Sequence, residues 1–356
     1  MNIAFPGRAH SPNGPMRASA PTNAGWHRRR MGLLFIVFAR LQFESCHKFW
    51  YSVIRCSVLY GRHKVMAVTY RFPKRGYTGL ALIAIGWPLA WVRPDGIQFL
   101  WENAFLFLWV GYALVVDALN WKLGGTSLFS RNSKAYLGMF LLSIPAWWLF
   151  EFFNLFLQNW HYLHNRHIGS IEYALRSSLH FSIVIPVVLS TAELWASSRL
   201  LAGSVKWHRI TINKRRLVIF IFIGIVMLVS VIAFPRYCFP FAWVSLYLIF
   251  DSMNMLLGAP SLLRHLERGN WRPIFALALG ALTCGFFWEM WNFYSLPKWI
   301  YTVPFVDLLH IFEMPALGYF GYLPFGLEIY ALYILLIDLL GLKRTSIYGG
   351  EGYVQL

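Results

Sequence analysis

The sequence predicts an all-α polytopic membrane bundle of about eight transmembrane helices, arranged as two parallel four-helix repeats with both termini in the cytoplasm. Three observations predict it. The chain is 58% hydrophobic and only 13% charged, whereas soluble domains carry roughly 25% charged residues. Apolar runs of helix length follow one another along most of the chain, as a bilayer core requires. A long stretch also recurs: LWVGYALVVDALNWKLGGTSLF (108–129) matches AWVSLYLIFDSMNMLLGAPSLL (242–263) in Trp109/Trp243, Asp117/Asp251, Asn120/Asn254 and Ser127/Ser261.

Residues 1–65 stand apart. They hold ten of the Lys/Arg residues, one acid (Glu44), a Pro/Gly/Ala/Ser-rich opening and the run HRRRMGLLFIVFA. So short an apolar run cannot span a bilayer, and no small-residue cleavage site follows it. The segment reads as a basic leader, disordered or a mis-assigned start, with Met31 or Met66 as initiator; an interfacial amphipathic anchor is the alternative.

The spans are expected at about 77–92, 97–119, 137–158 and 179–201, then at 217–234, 239–257, 273–295 and 319–340. Pro88, Pro145, Pro186 and Pro324 fall inside them and predict kinks, because proline frees a helical carbonyl. Basic-rich loops (around Arg75, Arg131, Arg215, Arg268 and Lys343) alternate with basic-poor ones (around Arg93, Arg166, Arg236 and Lys298). Positive-inside logic then places both termini in the cytoplasm of the inner (plasma) membrane. The repeats are 66–202 and 203–356. Four is even, so both enter from one side and are parallel.

The polar residues inside the spans are the candidate site. Glu151 and Asn154, in WWLFEFFNLFLQNWHY, return as Glu289 and Asn292, in GFFWEMWNFYSLPKWIY. Residues i and i+3 share a helix face, and an ionisable group inside hydrocarbon is a functional candidate by default. Catalytic roles are expected for Glu151 and Glu289, oriented by Asn154 and Asn292. Trp147, Trp148, Trp288, Trp291, Tyr162, Tyr301 and Glu313 would bind substrate, the aromatic faces serving a polyene-like lipid or a cationic intermediate. An interfacial aromatic belt is the plainer reading of the Trp-x-Tyr pairs. Asp117, Asn120, Asp251 and Asn254 form a second polar layer, read as a loop-fixing network with Gly124 and Gly258 as helix stops. Glu193 and Glu328 are candidates for a third. No Lys or Arg lies deep in a span, so these acids should be protonated, hydrogen-bonded or cation-bound.

Several classes are excluded. The four Cys form no C-x-x-C pair, and no nucleotide-binding, nucleophile-elbow or zincin motif occurs. His161, His164 and His167 are spaced by threes, but no partner set completes a metal site; interfacial histidines are the preferred reading, and neither metal nor cofactor is expected. The basic surplus suits anionic lipid headgroups rather than nucleic acid. The segment 301–330, dense in Pro, Gly and aromatics, is either a re-entrant or interfacial cap or a kinked helix start.

The runs WEMWNFYSLPKWIYTVPF and IFEMPALGYFGYLPFGLEIY resemble a family of uncharacterised bacterial polytopic membrane proteins with two internal repeats, which implies the fold and no activity. Trp160-x-Tyr162 and Trp299-x-Tyr301, beside intramembrane carboxyls, are similar to the lycopene-cyclase-domain and carotenoid-hydratase group. The Pro-x-Glu-Glu signature of the cyclases is absent, and Pro324-Phe-Gly-Leu-Glu328 does not replace it. That resemblance implies an isoprenoid substrate. The expected function is therefore acid–base chemistry on a hydrophobic lipid. A proton-coupled transporter and a non-catalytic scaffold are the alternatives, and membrane lipids and a hydrophobic small molecule are the expected partners.

Overall fold

The computed structural model describes residues 70–198, 200–201 and 205–342; the predicted leader and the last basic loop lie outside them. Its long elements are helices. In chain order they begin with α1 (Lys74–Val92), α2 (Gln98–Glu102), α3 (Ala104–Gly124), α4 (Leu128–Arg131) and α5 (Ser133–Leu157). Strand β1 (Trp160–Leu163), α6 (Ser170–Phe181) and α7 (Val184–Ser197) follow. The second half holds α8 (Lys214–Ala233), α9 (Pro235–Cys238), α10 (Ala242–Leu256), α11 (Leu262–Glu267) and α12 (Arg272–Asn292). It ends with β2 (Lys298–Tyr301), β3 (His310–Ile311), β4 (Met314–Pro315), a 3₁₀ turn (Ala316–Gly321) and α13 (Tyr322–Leu339).

Seven stretches among the described residues are long and apolar enough to cross a membrane: Ala104–Gly124, Ser133–Leu157, Ser170–Ser197, Lys214–Ala233, Pro235–Leu256, Arg272–Asn292 and Ala316–Leu339. That is the make-up of a multi-pass membrane protein. The expected eighth, α1, is helical but falls short of the same measure, because Arg75, Tyr77, Thr78 and three glycines dilute its apolar run. The second span starts later than expected. Asn103 interrupts the helix, turning its side-chain amide back to the Phe99 carbonyl at 2.7 Å.

The fourth span is two helices, not one. Pro186 has no N–H to offer the Ser182 carbonyl, and Ser143 of α5 enters the gap. Its hydroxyl donates to Phe181 O at 2.6 Å and accepts from Ile185 N at 3.1 Å, replacing a bond of the helical ladder.

The long helices pack in two sets. α1 lies along α3, α3 against α7, and α5 against α7; likewise α8 lies along α10, α10 against α13, and α12 against α13. The halves join where α7 meets α12. There a Cβ on Gly280 would sit 2.7 Å from the Ala192 backbone nitrogen, so only glycine permits the approach.

The residues expected to fix loops at the basic-rich end mostly tie helices to one another, and Asp251 alone bonds the turn that follows its helix. Arg75 reaches Asp117 (2.5 Å) and Arg131 reaches Glu193 (2.6 Å). These acids thus have basic partners after all, because long side chains bend inward from helix ends. The left-handed stop of α3 is Gly125 rather than Gly124, whereas Gly258 adopts its expected conformation (φ 73°). Asn120 donates to Ser190 O (2.9 Å) and Asn254 to Ala331 O (2.8 Å), tying α3 to α7 and α10 to α13. This register sets Ser190 against Ala331, so Glu193 and Glu328 are not counterparts.

Candidate functional site

Glu151 lies near the end of α5 and Glu289 near the end of α12, both buried. Their i+3 asparagines do not orient them, contrary to the sequence expectation. Asn154 brackets the start of β1, donating to Trp160 O (2.8 Å) and accepting from Asn159 N (3.0 Å). Asn292 brackets β2 in the same way, donating to Trp299 O (2.7 Å) and accepting from Trp299 N (2.9 Å). A primary amide matches both peptide groups at once, so each asparagine clamps a strand onto the end of its helix.

The two clamped strands pair with each other. β1 and β2 are antiparallel, with Trp160 opposite Tyr301, His161 opposite Ile300 and Tyr162 opposite Trp299. Side chains alternate along a strand, so all four aromatics of the two Trp-x-Tyr motifs occupy one face of the sheet. That face meets the carboxyls. Tyr162 Oη (2.6 Å), Trp147 Nε1 (3.0 Å) and Trp160 Nε1 (3.1 Å) donate to Glu151 Oε1. Tyr301 Oη and Tyr322 Oη, each at 2.7 Å, donate to Glu289 Oε1, and Trp299 Nε1 donates to Tyr301 Oη at 2.8 Å. Glu289 Oε2 is buried without a hydrogen bond. Neither carboxyl has a cation within ion-pair distance among the described residues. Burial first, and then the adjacent carboxyl, push the Tyr162 and Tyr301 hydroxyls well above the usual phenol range, so both keep their protons.

A cavity of about 490 Å³ opens under the sheet, inside the ~300–1,000 Å³ range of small-molecule sites. Glu151 and Glu289 are not on its wall. Their donors are: Tyr162, Trp147 and Trp160 from the first half, and Tyr301 and Tyr322 from the second. The direct catalytic contact expected of the two carboxyls is corrected accordingly; a single layer of phenol and indole separates them from the cavity. Trp147 and Trp288 meet across the join with ring centroids 6.2 Å apart, and both line the cavity.

Three other expected substrate contacts lie elsewhere. Trp148 is turned away and donates to Ser178 Oγ at 3.0 Å. Trp291 is packed in the core against Trp109 (5.2 Å) and Phe287 (5.3 Å). Glu313 pairs with Lys298, and it is Lys298 that reaches the cavity. The expected third layer is no layer either: Glu193 is spent on Arg131, and Glu328, 1% exposed, lies near the backbone of Leu246 and Tyr247 without closing a hydrogen bond.

Sequence reasoning missed a polar group on the same cavity. Glu102, His164, Arg176 and His180 line it. Glu102 accepts from Arg176 Nη1 (2.7 Å), Gln98 Nε2 (2.7 Å) and Asn165 Nδ2 (2.8 Å). Burial works to raise its carboxyl, but the bonds from Asn165, Gln98 and Arg176 outweigh that and bring it down to about 2. The signal was an acid, Glu102, near the start of the expected second span; reading that end of the span by its basic residues alone passed over it. The histidine string does not converge, since His161 bonds Thr302 Oγ1 (2.8 Å) on the far face of the sheet. Among the described residues no three His, Cys, Asp or Glu side chains are grouped to hold a metal ion.

Comparison with known proteins found no matching family model, no matching curated protein and no matching solved structure.

Proposed function

We propose that this chain is an intramembrane enzyme that moves a proton to or from a hydrophobic lipid or isoprenoid held in the cavity under the β1–β2 sheet. The carrying observation is the pairing of cavity-wall tyrosines with buried glutamates: Tyr162 with Glu151, and Tyr301 and Tyr322 with Glu289. The tyrosine hydroxyl exchanges the proton with the ligand. The glutamate behind it supplies or takes that proton and is a positioning and relay group, since it does not touch the cavity. General acid–base help of this kind contributes about 10²–10⁴-fold. Indole faces at Trp147, Trp160, Trp288 and Trp299 favour any positive charge that develops on the ligand, an attraction that strengthens when desolvated.

The reading extends to the architecture. The halves 66–202 and 203–356 are parallel repeats related by a dyad along the membrane normal, with both termini cytoplasmic in the inner membrane. The strand register supports this, because residues 160–162 correspond to 299–301 and pair with them about a centre at His161 and Ile300. Proton-coupled transport is the weaker reading: the acids at the opposite end are tied into structure, Asp117 by Arg75, Glu193 by Arg131 and Asp251 by Ser261 and two backbone amides.

Mass spectrometry of lipid extracts from cells producing the wild-type chain should reveal a species that disappears with Tyr162→Phe, Tyr301→Phe, Glu151→Gln and Glu289→Gln at unchanged protein yield. Retention of that species in all four variants refutes the acid–base reading. Uptake into proteoliposomes driven by a pH gradient, without a chemical change, replaces it with transport.

A further inference from the structure

The polar side of the cavity has no part in the proton chemistry above. It is lined by His164, the residue after β1, and by Lys298, the first residue of β2, whose backbone pairs with Leu163. Arg176, on α6, lines the same cavity, with His180 one helical turn further on.

Each of three basic side chains there has hydrogen-bonding capacity to spare. Arg176 is held at two points, by Nη1 on Glu102 (2.7 Å) and by Nε on Glu172 (2.9 Å). Its Nη2 has no protein partner among the described residues. Lys298 Nζ donates to Glu313 and to Phe293 O (2.8 Å), and an ammonium has three donors. His164 Nδ1 is buried with no hydrogen bond. Burial first, and Arg176 next, hold the His164 imidazole below its ordinary range, so it is neutral near pH 7 and offers one donor and one acceptor.

The charges balance. Arg166 and Arg176 are matched by Glu102 and Glu172, and Lys298 by Glu313. An incoming phosphate would bring uncompensated negative charge to a site whose cations are already neutralised, in surroundings that weakly screen it. A neutral oxygen needs only the spare donors. A built site that hydrogen-bonds an oxygen also discriminates against the analogue that lacks it, because its polar groups would then stay unpaired.

We propose that the cavity takes an uncharged, oxygen-bearing lipid, such as a long-chain isoprenoid alcohol or carbonyl. Its oxygen lies within reach of Arg176, His164 and Lys298, and its chain runs along Trp147, Trp288 and Phe325. This deepens the proposed function and rests on the same cavity being the ligand site.

The test is equilibrium binding of tritiated geranylgeraniol, its phosphate monoester and the parent hydrocarbon to the purified full chain in nanodiscs, with empty nanodiscs subtracted. The alcohol should bind at least about tenfold more tightly than either of the others. Arg176→Gln should reduce the alcohol to the level of the hydrocarbon. Because that change also removes a partner from buried Glu102, His164→Leu is the second variant, and it should weaken the alcohol several-fold without altering hydrocarbon binding. Equal binding of alcohol and hydrocarbon overturns the proposal, as does tighter binding of the phosphate ester or an alcohol preference intact in both variants. If the alcohol binds as expected while no tyrosine variant changes any cellular lipid, the acid–base reading fails and this one stands.

Discussion

Asp117 and Asp251 occupy matching sequence positions, yet they are satisfied by different donors. Asp117 is held by Arg75, with Oδ1 left unbonded. Asp251 accepts from Ser261 Oγ (2.9 Å), Leu262 N (2.9 Å) and Leu263 N (2.8 Å), and so caps the start of α11. Asp251→Ala would orphan two buried amides and a hydroxyl, at about 1 kcal/mol or more for each. A drop in melting temperature in detergent, larger than that of an exposed Asp307→Ala control, is the expected outcome. Glu102 gives a pH dependence. Its folded-state value lies below the usual 4.5, at about 2, so its contribution is complete above 4.5 and is lost as pH falls toward 2. Melting temperatures should therefore decline between about pH 5 and pH 3, and the decline should be shallower in Glu102→Gln. At this scale the sequence located the polar residues and misjudged what they serve. Asn154 and Asn292 were legible as partners of something polar, but an amide three residues from a carboxyl looks the same whether it bonds the acid or a strand that the chain reaches only later.

Among the elements, the helices were legible because hydrocarbon demands an apolar run of fixed length. The sheet was not, because four residues of Trp-x-Tyr alternation are too short to separate a strand from a membrane-interface belt. The break between α6 and α7 was half legible: Pro186 marks it, whereas the hydroxyl that bridges it comes from Ser143 on another helix. Close crossings make a testable distinction between glycines. A Cβ on Gly326 would lie 2.3 Å from Leu277 O, whereas one on Gly138 meets nothing within 4 Å. Gly326→Ala is expected to destabilise by about 1–3 kcal/mol, since backbone cannot yield as a side chain can. Gly138→Ala should cost nothing, or stabilise by a few tenths of a kcal/mol from the better helix former. Thermal unfolding of the two variants side by side checks both; equal melting temperatures would refute the α12–α13 crossing.

Over the whole molecule, residues 66–202 meet 203–356 at the α7–α12 crossing, where α13 packs on α5 and α7, where α5 meets α8, and at the β1–β2 ladder. Each half contributes one strand, and a lone strand of this length has nothing else to pair with. Co-produced fragments 66–202 and 203–356 should therefore copurify. Cysteines placed at the facing positions His161 and Ile300 should cross-link them on oxidation, because opposed side chains on one ladder have Cβ atoms about 4.5–5.5 Å apart. Fragments that copurify but never cross-link would refute the register.

The sequence alone determined that the chain is built from long apolar helices, that its polar residues are few, and that Glu and Asn recur at one spacing. Those properties are local: hydrocarbon length, charge cost and helical periodicity act within a single segment. Only the tertiary structure decided that the carboxyls stand one layer behind the cavity, that tyrosine hydroxyls front them, and that Glu102, Arg176, His164 and Lys298 share its wall. These depend on residues as far apart as Glu102 and Lys298 being brought together, and neither hydropathy nor spacing records which distant partner a side chain will meet.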